Sequence, residues 1–249
     1  MANNFTAEEC AKIHKDNIEL ANKTIKKKVY RSKRNTKEPL KHYFDIENNN
    51  ELGIDEAGRG PLFGRVYVAG VIIPKDDTDF KYDIIKDSKR FSSKKKLMDV
   101  YNYIKENCID YYVSYKDEKY IDNNNIRQSV LSGMNECITN IKTKSDYILI
   151  DGCDFVNNTG NKELKYKCIE GGDNWYVSIA AASILAKVER DMYIEKLCKD
   201  NPELNEKYGI CKNKGYGTRQ HIEGIKKHGI SKYHRKTYGI CKNYHQNDN

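Results

Sequence analysis

The alternation of apolar runs and polar segments beyond residue 50 predicts strands separated by helices. Residues 66–73 are β-branched and nearly all apolar, which is typical of a strand buried on both faces. Residues 109–115 and 147–150 form two further apolar runs, and each of them predicts another strand.

Three segments with helical spacing accompany these strands. In residues 94–106 the apolar side chains fall on one helical face, and Ser92 or Ser93 is a suitable N-cap. A second helix is predicted from about residue 126 to 141. The third covers residues 178–199 and begins with SIAAASILAK, whose small side chains allow close packing against a sheet. The pattern predicts an α/β layer architecture around a mixed sheet.

The composition fits one folded domain with a polar segment at each end. With 249 residues, of which 38% are hydrophobic, the chain can bury one sizeable core. Residues 1–48 are polar and basic and are predicted to form an N-terminal extension, in which residues 7–22 have some helical character. Residues 49–240 then form the compact domain, and residues 241–249 form a polar tail.

Several protein classes are disfavoured by the same composition. No apolar run approaches the roughly 20 residues that span a bilayer, and the first residues lack the apolar core of a secretory signal. The eight cysteines form no CxxC pair and no zinc-finger spacing, so we expect reduced thiols and no zinc. We expect an intracellular protein, cytoplasmic or nuclear, that has no membrane partner and acts as a monomer.

Positive charge is concentrated in two segments of the chain. The formal net charge is +8; residues 23–34 contain seven Lys or Arg and no acid, and residues 207–242 contain ten against a single Glu. Clustered cations favour a polyanion such as nucleic acid, because each phosphate contact releases a counterion. Charge alone is equally typical of a solvated basic face.

Four acidic residues occupy positions where a charge is unfavourable without a partner: Asp55, Glu56, Asp151 and Asp173. The first two lie in GIDEAGRG, Asp151 ends the run YILID, and Asp173 precedes the Ala-rich helix. Burying such charges is costly unless a cation pairs with them. Divalent Mg²⁺ selects carboxylate oxygens, and two cations roughly 4 Å apart could activate water for phosphodiester cleavage. Taken singly, Asp151 is equally typical of a turn and Asp173 of a helix cap.

The adjacency of Asp55 and Glu56 raises a geometric question. Side chains of consecutive strand residues point to opposite faces of a sheet. Both carboxylates can therefore serve one site only if the strand bends or ends at this point, which the following glycines, Gly58 and Gly60, allow.

The motif GIDEAGRGPLFG resembles the ribonuclease HII family, the type 2 ribonucleases H. Six further motifs follow in the order that the family has: DSKRFS, ILIDG, GGD, SIAAASILAKVERD, NKGYGTRQH and YHRKTY. Together they span about residues 51–240. The resemblance implies an RNase H-like fold, with a five-stranded mixed sheet flanked by helices and a helical C-terminal part that closes over the substrate.

The resemblance implies that the metal-binding and catalytic acids are Asp55, Glu56, Asp151 and Asp173. The first three match the family's motifs directly. At the fourth position the family usually has Lys-Gly-Asp where this chain has Gly-Gly-Asp, so Asp191 is a rival candidate. We predict Asp173, because Asp191 lies among charged helix residues and is better interpreted as a surface or ion-pair residue.

The resemblance also implies how the ribose is read. Gly58, Arg59 and Gly60 match the family's GRG turn, which is implied to recognise the 2′-hydroxyl. Glycine lets backbone groups approach a sugar closely, and Arg59 can contact a phosphate through two nitrogens. Tyr216 matches the tyrosine that the family stacks on the sugar beside the cut. The family histidine that precedes this block is Asn213 here.

Further substrate contacts are implied for Lys89, Ser183 and Lys187, which match positions that the family uses for backbone phosphates. Each is equally typical of an exposed polar residue. Arg65 departs from the family, which commonly has proline there, and adds a cation near the GRG turn. The adjacent His234 and Arg235 match a family block that we interpret as structural or phosphate-facing.

The sister family ribonuclease HIII carries a GKG-type turn and a folded N-terminal domain. This chain has GRG at the turn, and its N-terminal extension is too polar and short to be convincing as that domain, so type HII is favoured. We therefore predict an endonuclease that uses two Mg²⁺ or Mn²⁺ ions. Its expected substrates are RNA/DNA hybrids and duplex DNA with single embedded ribonucleotides, cut on the 5′ side to leave 3′-hydroxyl and 5′-phosphate ends. Two alternatives are a hybrid-binding protein with a decayed site and another RNase H-like nuclease, such as a resolvase or integrase, which cuts all-DNA substrates.

Overall fold

A computed structural model of the chain describes residues 39–244. Within that range five strands form one sheet in the order β3-β2-β1-β4-β5. Strand β1 is antiparallel to β2 and parallel to β4, and β2 and β3 are antiparallel while β4 and β5 are parallel. The strands are β1 (Glu51–Ala57), β2 (Val66–Ile72), β3 (Asp110–Lys116), β4 (Tyr147–Asp151) and β5 (Tyr166–Ile169). The predicted mixed sheet is confirmed.

Helices cover both faces of the sheet and form the C-terminal part. The α-helices are α1 (Lys94–Asn107), α2 (Glu118–Asn140), α3 (Val177–Asp200), α4 (Glu203–Tyr208), α5 (Ile210–Asn213) and α6 (Arg219–His228). Helix α1 is capped by Ser93, whose hydroxyl accepts from the backbone N–H of Lys96 at 3.2 Å. This confirms one of the two predicted caps.

Helix α3 lies very close to β1 because small residues meet at the contact. A Cβ atom on Gly53 would lie 2.3 Å from the carbonyl carbon of Ser178, a distance that no larger side chain tolerates. The alanines of SIAAASILAK are fully buried in the same contact. The close approach brings Ser183 of α3 under the end of β1.

The opposite face of the sheet packs against α2, and the C-terminal helices form a third apolar cluster. On the α2 face, Leu52, Ile54 and Val68 pack against α2 residues such as Met134. In the third cluster, which holds the C-terminal part together, Phe63 packs with residues of α3, α4 and α6. Within residues 39–244 no helix combines the length and apolar character needed to cross a membrane.

Residues just before the sheet are held to the start of α3 by backbone hydrogen bonds. The N–H of Lys41 donates to the carbonyl of Trp175, and the carbonyl of Lys41 accepts from Val177. The helix suggested at residues 7–22 lies outside the described residues. The division of the chain at residues 48 and 240 stays a prediction.

Several parts of the fold were not predicted from the pattern of apolar residues, among them strand β5 and the first turns of α2. Strand β5 is short and mostly exposed or half-buried, so it has no apolar run. Helix α2 begins at Glu118, well before the predicted start, with a polar stretch that includes a non-helical residue, Asn125 (φ 59°). Strand β5 matters for function, because it leads the chain to Asp173.

Candidate active site

The four predicted acids converge at one edge of the sheet. Strands β1 and β4 are parallel with Ile54 paired to Ile150, so the next residues, Asp55 and Asp151, lie side by side at the strand ends. After β5 the chain turns into a short 3-10 helix, Gly172–Asn174. The N–H of Gly172 donates to Oδ1 of Asp151 at 2.6 Å, which holds the following residue, Asp173, beside Asp151.

Asp55 lies at the bottom of this site, 5% exposed. Its side chain is directed toward α3 and is hydrogen-bonded by the hydroxyl of Ser183. That hydroxyl is 3.3 Å from the hydroxyl of Ser88. Ser183 is itself buried in this position, so its contacts are with the acids, and its predicted contact with a substrate phosphate stays a prediction.

Glu56 joins the group although it still pairs with Val68 of β2, one residue before the strand ends. Strand β1 stops at Ala57, and Oδ1 of Asp55 accepts from the N–H of Glu56 at 2.7 Å. The carboxylate of Glu56 is 3.2 Å from Nη1 of Arg59, and it lies close enough to Asp173 for that charge to raise its pKa. The two adjacent carboxylates thus lie near one site although β1 continues through both residues to Ala57.

Burial and mutual repulsion raise the pKa values of all four acids. Burial is the largest cause in each case. The pKa of Asp55 is raised well above its usual range, with the charge of Asp151 the next cause. The pKa of Asp151 is raised to about 6 by burial and by the charge of Asp173. Carboxylates that disfavour each other's ionisation are the donor set that a divalent cation stabilises.

Positively charged side chains of the protein neutralise the four acids only in part. Nζ of Lys89 is 3.6 Å from Oδ2 of Asp173 and 3.9 Å from Oδ1 of Asp87, and its side chain is 77% exposed. Within residues 39–244 no three Asp, Glu, His or Cys side chains are arranged to hold an ion by themselves. A complete protein cage is thus not formed. The donors still fit Mg²⁺, which usually takes one or two carboxylates together with water and substrate phosphate.

Replacing one of these acids should stabilise the protein when divalent ions are absent. The raised pKa of Asp151 means that the stability this group contributes is fully present below pH 3.8 and is lost as pH rises through about 6. In EDTA, Asp151→Asn should therefore unfold at higher temperature than the wild type at pH 8. The expected gain is on the order of 1–3 kcal/mol, and it should vanish at pH 4. Thermal unfolding at both pH values measures it; lower stability at pH 8 would contradict the repulsion.

Two buried arginines shape the GRG turn beside the acids. Arg235 is fully buried and donates from Nη2 to the carbonyl of Gly58 at 2.6 Å, from Nη1 to that of Arg59 at 2.9 Å and from Nε to that of Gly64 at 2.9 Å. Arg190 donates to the carbonyls of Arg65 and Lys214. Gly58 has φ +98°, and a Cβ there would lie 2.3 Å from Nε of Arg190. Only glycine fits this position.

The direction of these hydrogen bonds decides which groups the turn presents. In a trans peptide the N–H points away from the C=O of the same unit. Because Arg235 binds the carbonyls of Gly58 and Arg59, the N–H groups of Arg59 and Gly60 point away from the arginine. The turn therefore offers two backbone donors on its outer side, next to the acids.

Tyr216 lies across this turn. A Cβ on Gly60 would lie 3.6 Å from Cε1 of Tyr216, and the tyrosine is 51% exposed. Its loop is held by Asn213, whose Oδ1 accepts from the N–H of Gly215 at 2.8 Å and whose carbonyl accepts from the N–H of Tyr216 at 2.9 Å. The asparagine that replaces the family's histidine thus supports the tyrosine loop.

A chain of hydrogen bonds through two buried histidines also reaches this loop. The N–H of Ser231 donates to Nδ1 of His234 at 2.9 Å, so Nε2 of His234 carries the proton and donates to Nε2 of His221 at 3.0 Å. Nδ1 of His221 then donates to the carbonyl of Tyr216 at 2.9 Å. Both rings must be neutral for this arrangement, and burial lowers both pKa values, that of His234 to about 3.

The histidine pair should make stability depend on pH. An unfolded histidine titrates near 6.5, whereas His234 in the fold has a pKa of about 3, so stability is lost as pH falls from about 6.5. His234→Gln can keep both hydrogen bonds without titrating. Between pH 7.5 and pH 5 the variant should gain on the wild type by on the order of 1–2 kcal/mol, measured by denaturant unfolding. Exposed His228→Gln is the control; equal gains in both variants would refute the assignment.

The remaining predicted residues lie around the site without joining the acids. Nζ of Lys187 is 2.6 Å from Oδ2 of Asp191, one helical turn further along α3. Asp191, the rival candidate for the fourth acid, therefore forms an ion pair, as its sequence context suggested. His234 and Arg235 are buried, which supports the structural interpretation over the phosphate-facing one. Arg190 was missed, although it lies four residues from both Ala186 and Ile194 in the buried stripe of α3.

One cavity among the described residues is not lined by the four acids. A cavity of about 850 Å³ is lined by residues of the start of α2 and of the C-terminal part, among them Glu118, Lys119, His228 and Lys232. None of the four acids lines it. This cavity is therefore not part of the acid site.

Comparison with known proteins places this geometry among nucleases. A family model described as Ribonuclease HII matches residues 52–241. The ribonuclease HII of Endomicrobium trichonymphae is 43% identical over 186 residues, which cover 75% of this chain and 83% of that protein. That of Francisella philomiragia is 40% identical over 187 residues, 75% of this chain and 95% of the relative. The crystal structure of ribonuclease H2 from Pyrococcus horikoshii is 25% identical and covers 78% of this chain and 96% of its own, with a TM-score of 0.66. The predicted RNase H-like fold is confirmed.

Proposed function

The chain belongs to the ribonuclease HII family and is therefore a type 2 ribonuclease H, and from this premise we propose its substrate and its chemistry. The substrate is DNA-paired RNA, including a single ribonucleotide within duplex DNA. The cut falls on the 5′ side of the ribonucleotide and leaves 3′-hydroxyl and 5′-phosphate ends. One observation carries the proposal: the acid cluster lies beside a turn whose outward N–H groups can recognise a 2′-hydroxyl.

The acids Asp55, Glu56, Asp151 and Asp173 are the residues that would hold Mg²⁺ or Mn²⁺. Their raised pKa values and partial compensation support this assignment. When bound, such ions supply Lewis-acid activation of water and neutralise charge that develops on the phosphate oxygens. No protein nucleophile is required, because each acid acts as a ligand or as a proton acceptor.

The protein itself orients the acids and the phosphate. The Ser183 hydroxyl and the Gly172 N–H fix the carboxylates of Asp55 and Asp151 by hydrogen bonds. Lys89 and Arg59 are exposed cations beside the acids, so both can exchange a carboxylate neighbour for the phosphate of a bound strand. The incoming phosphate thereby enters a site that is negative at its base and positive at its rim.

Ribose recognition follows from the GRG turn and from Tyr216. The outward N–H groups of Arg59 and Gly60 can donate to a 2′-oxygen, which deoxyribose lacks. The exposed ring of Tyr216 can pack on the neighbouring sugar, and this contact is closest where no 2′-hydroxyl intervenes. Together the two contacts select a step from RNA to DNA.

Loss of a central acid should abolish cutting without abolishing binding. Asp55→Asn should lower kcat at least ~10³-fold, the scale of removing a preorganised electrostatic group, on a duplex with one embedded ribonucleotide and Mg²⁺. Binding of the same duplex in EDTA should persist. Asp200→Asn, an exposed acid at the end of α3, is the matched control and should cut normally. Denaturing gel electrophoresis with labelled ends gives both the rate and the product termini.

The same assay separates the alternatives. Cutting of an all-DNA duplex would favour another RNase H-like nuclease, and binding without cutting by the wild type would favour a decayed hybrid-binding protein. Asp191→Asn should remain active, because Asp191 pairs with Lys187 outside the acid cluster. A loss equal to that of Asp55→Asn would replace Asp173 with Asp191 in the proposed ligand set.

The role of Tyr216 predicts an effect that depends on the substrate. Tyr216→Ala should lower kcat/KM about 10-fold, or ~1.4 kcal/mol, on a single embedded ribonucleotide, and less on a continuous RNA/DNA hybrid. Tyr216→Phe should retain most activity, because the ring and not the hydroxyl makes the contact. Tyr166→Ala, a change at another exposed tyrosine, is the control. Equal losses on both substrates would show that the tyrosine does not read the junction.

A further inference from the structure

Arg65, a residue outside the proposed catalytic machinery, is held between two aromatic rings. Its guanidinium carbon is 4.0 Å from the ring centre of Tyr115 and 4.4 Å from that of Tyr193. The hydroxyl of Tyr67 accepts a hydrogen bond from the arginine side chain. The arginine is half-buried and Tyr115 is 49% exposed. The planar group is therefore fixed in orientation while it stays at the surface.

Among the residues that the structure describes, this guanidinium has no anionic partner. Within residues 39–244, Arg59, Arg127 and Arg219 form ion pairs with carboxylates, whereas Arg65 forms none. Its Nε is buried without a hydrogen-bond partner. Burial raises the pKa of Glu118 and the charge of Arg65 partly offsets that rise, but the two side chains form no ion pair. A guanidinium held flat and left unpaired is suited to bind two oxygens of an anion.

The position of Arg65 places it on the same edge and face of the sheet as the acids. Asp55 pairs with Ala69 across β1 and β2, and by the alternation of strand residues Arg65 and Ala69 face the same side. Arg65 is four residues from Ala69, or about 13 Å at roughly 3.3 Å per residue. Its carbonyl accepts from Nε of Arg190, at 3.2 Å, the arginine that also packs against the GRG turn.

We propose that Arg65, held by Tyr115 and Tyr193, is an additional binding site for a backbone phosphate of the nucleic acid. A duplex rises about 3.4 Å per base pair, so the contact falls a few base pairs from the cut. The inference rests on the proposed function, because it takes the strand that is cut as the ligand. It concerns affinity and position on the duplex, and leaves the chemical step to the acids.

The salt dependence of binding tests this site. Each phosphate contact contributes about 0.9 to the slope of log Kd against log salt, so Arg65→Gln should reduce that slope by about one. The probe is a fluorescent duplex with one embedded ribonucleotide, bound by the full chain in EDTA so that no strand is cut. In Mg²⁺, KM should rise about 3- to 10-fold, the size of one charge-assisted contact, with kcat unchanged. Arg219→Gln, at a side chain that is 92% exposed and paired with Glu223, should leave the slope unchanged.

Two further variants keep the test decisive if Arg65→Gln is unstable. Tyr115→Leu keeps the charge and removes the exposed ring, so it should weaken binding with the slope retained. Arg65→Lys should retain the slope and bind less tightly than the wild type, because a lysine lacks the planar fork. A wild-type slope in Arg65→Gln, or in its absence wild-type affinity in both other variants, would overturn the proposal and leave the arginine a purely structural role. Failure of the proposed function would instead appear as absence of cutting by the wild type, whatever the slopes.

Discussion

Negative charge buried at the ends of β1 and β4 is the constraint on which the arrangement of the site depends. Parallel pairing of these strands puts Asp55 beside Asp151, and the turn after β5 adds Asp173. Hydrogen bonds from Ser183 and Gly172 orient two of the carboxylates, but burial and repulsion still raise their pKa values. The fold thus holds a charge that it compensates only in part. Carboxylates that are buried and incompletely neutralised are stabilised by bound cations, and a substrate phosphate can complete the coordination of those cations.

Two buried positive charges beside the acids, in contrast, are compensated by the protein itself. Arg190 and Arg235 are buried, and their hydrogen bonds go to backbone carbonyls of the GRG turn and the neighbouring loops. Burial lowers the pKa of Arg235 to about 10, so the group remains charged at neutral pH. Because these arginines take up the carbonyls, they turn N–H groups outward and tie the C-terminal part to the turn. The GRG turn and the C-terminal helices are consequently one mechanical unit, which the histidine pair extends to Tyr216.

The apolar pattern of the sequence was sufficient for the elements that face a core. The strands at 66–73 and 147–150 and the helix at 94–106 were predicted to within one or two residues, because each has a continuous or periodic apolar run. Strand β5 and the first turns of α2 were not, since their residues are polar and owe their conformation to neighbouring elements. The four acids were predicted from the family motifs and from their positions at the ends of apolar runs, where an unpaired charge is unfavourable. Arg190 was overlooked because an arginine in a charged helix segment is normally exposed.

By itself the sequence determined the fold class, the family and the identity of the acids, because ordered motifs and apolar periodicity are local properties of the chain. Only the tertiary structure decided how those acids relate to one another. The register of β1 and β4 and the hydrogen bond from Gly172 bring together residues almost 120 positions apart. Tertiary structure also decided that Ser183 is buried beneath Asp55 while Arg65 stays at the surface between two rings. Exposure and partner choice depend on what packs against a side chain, and no local pattern specifies that.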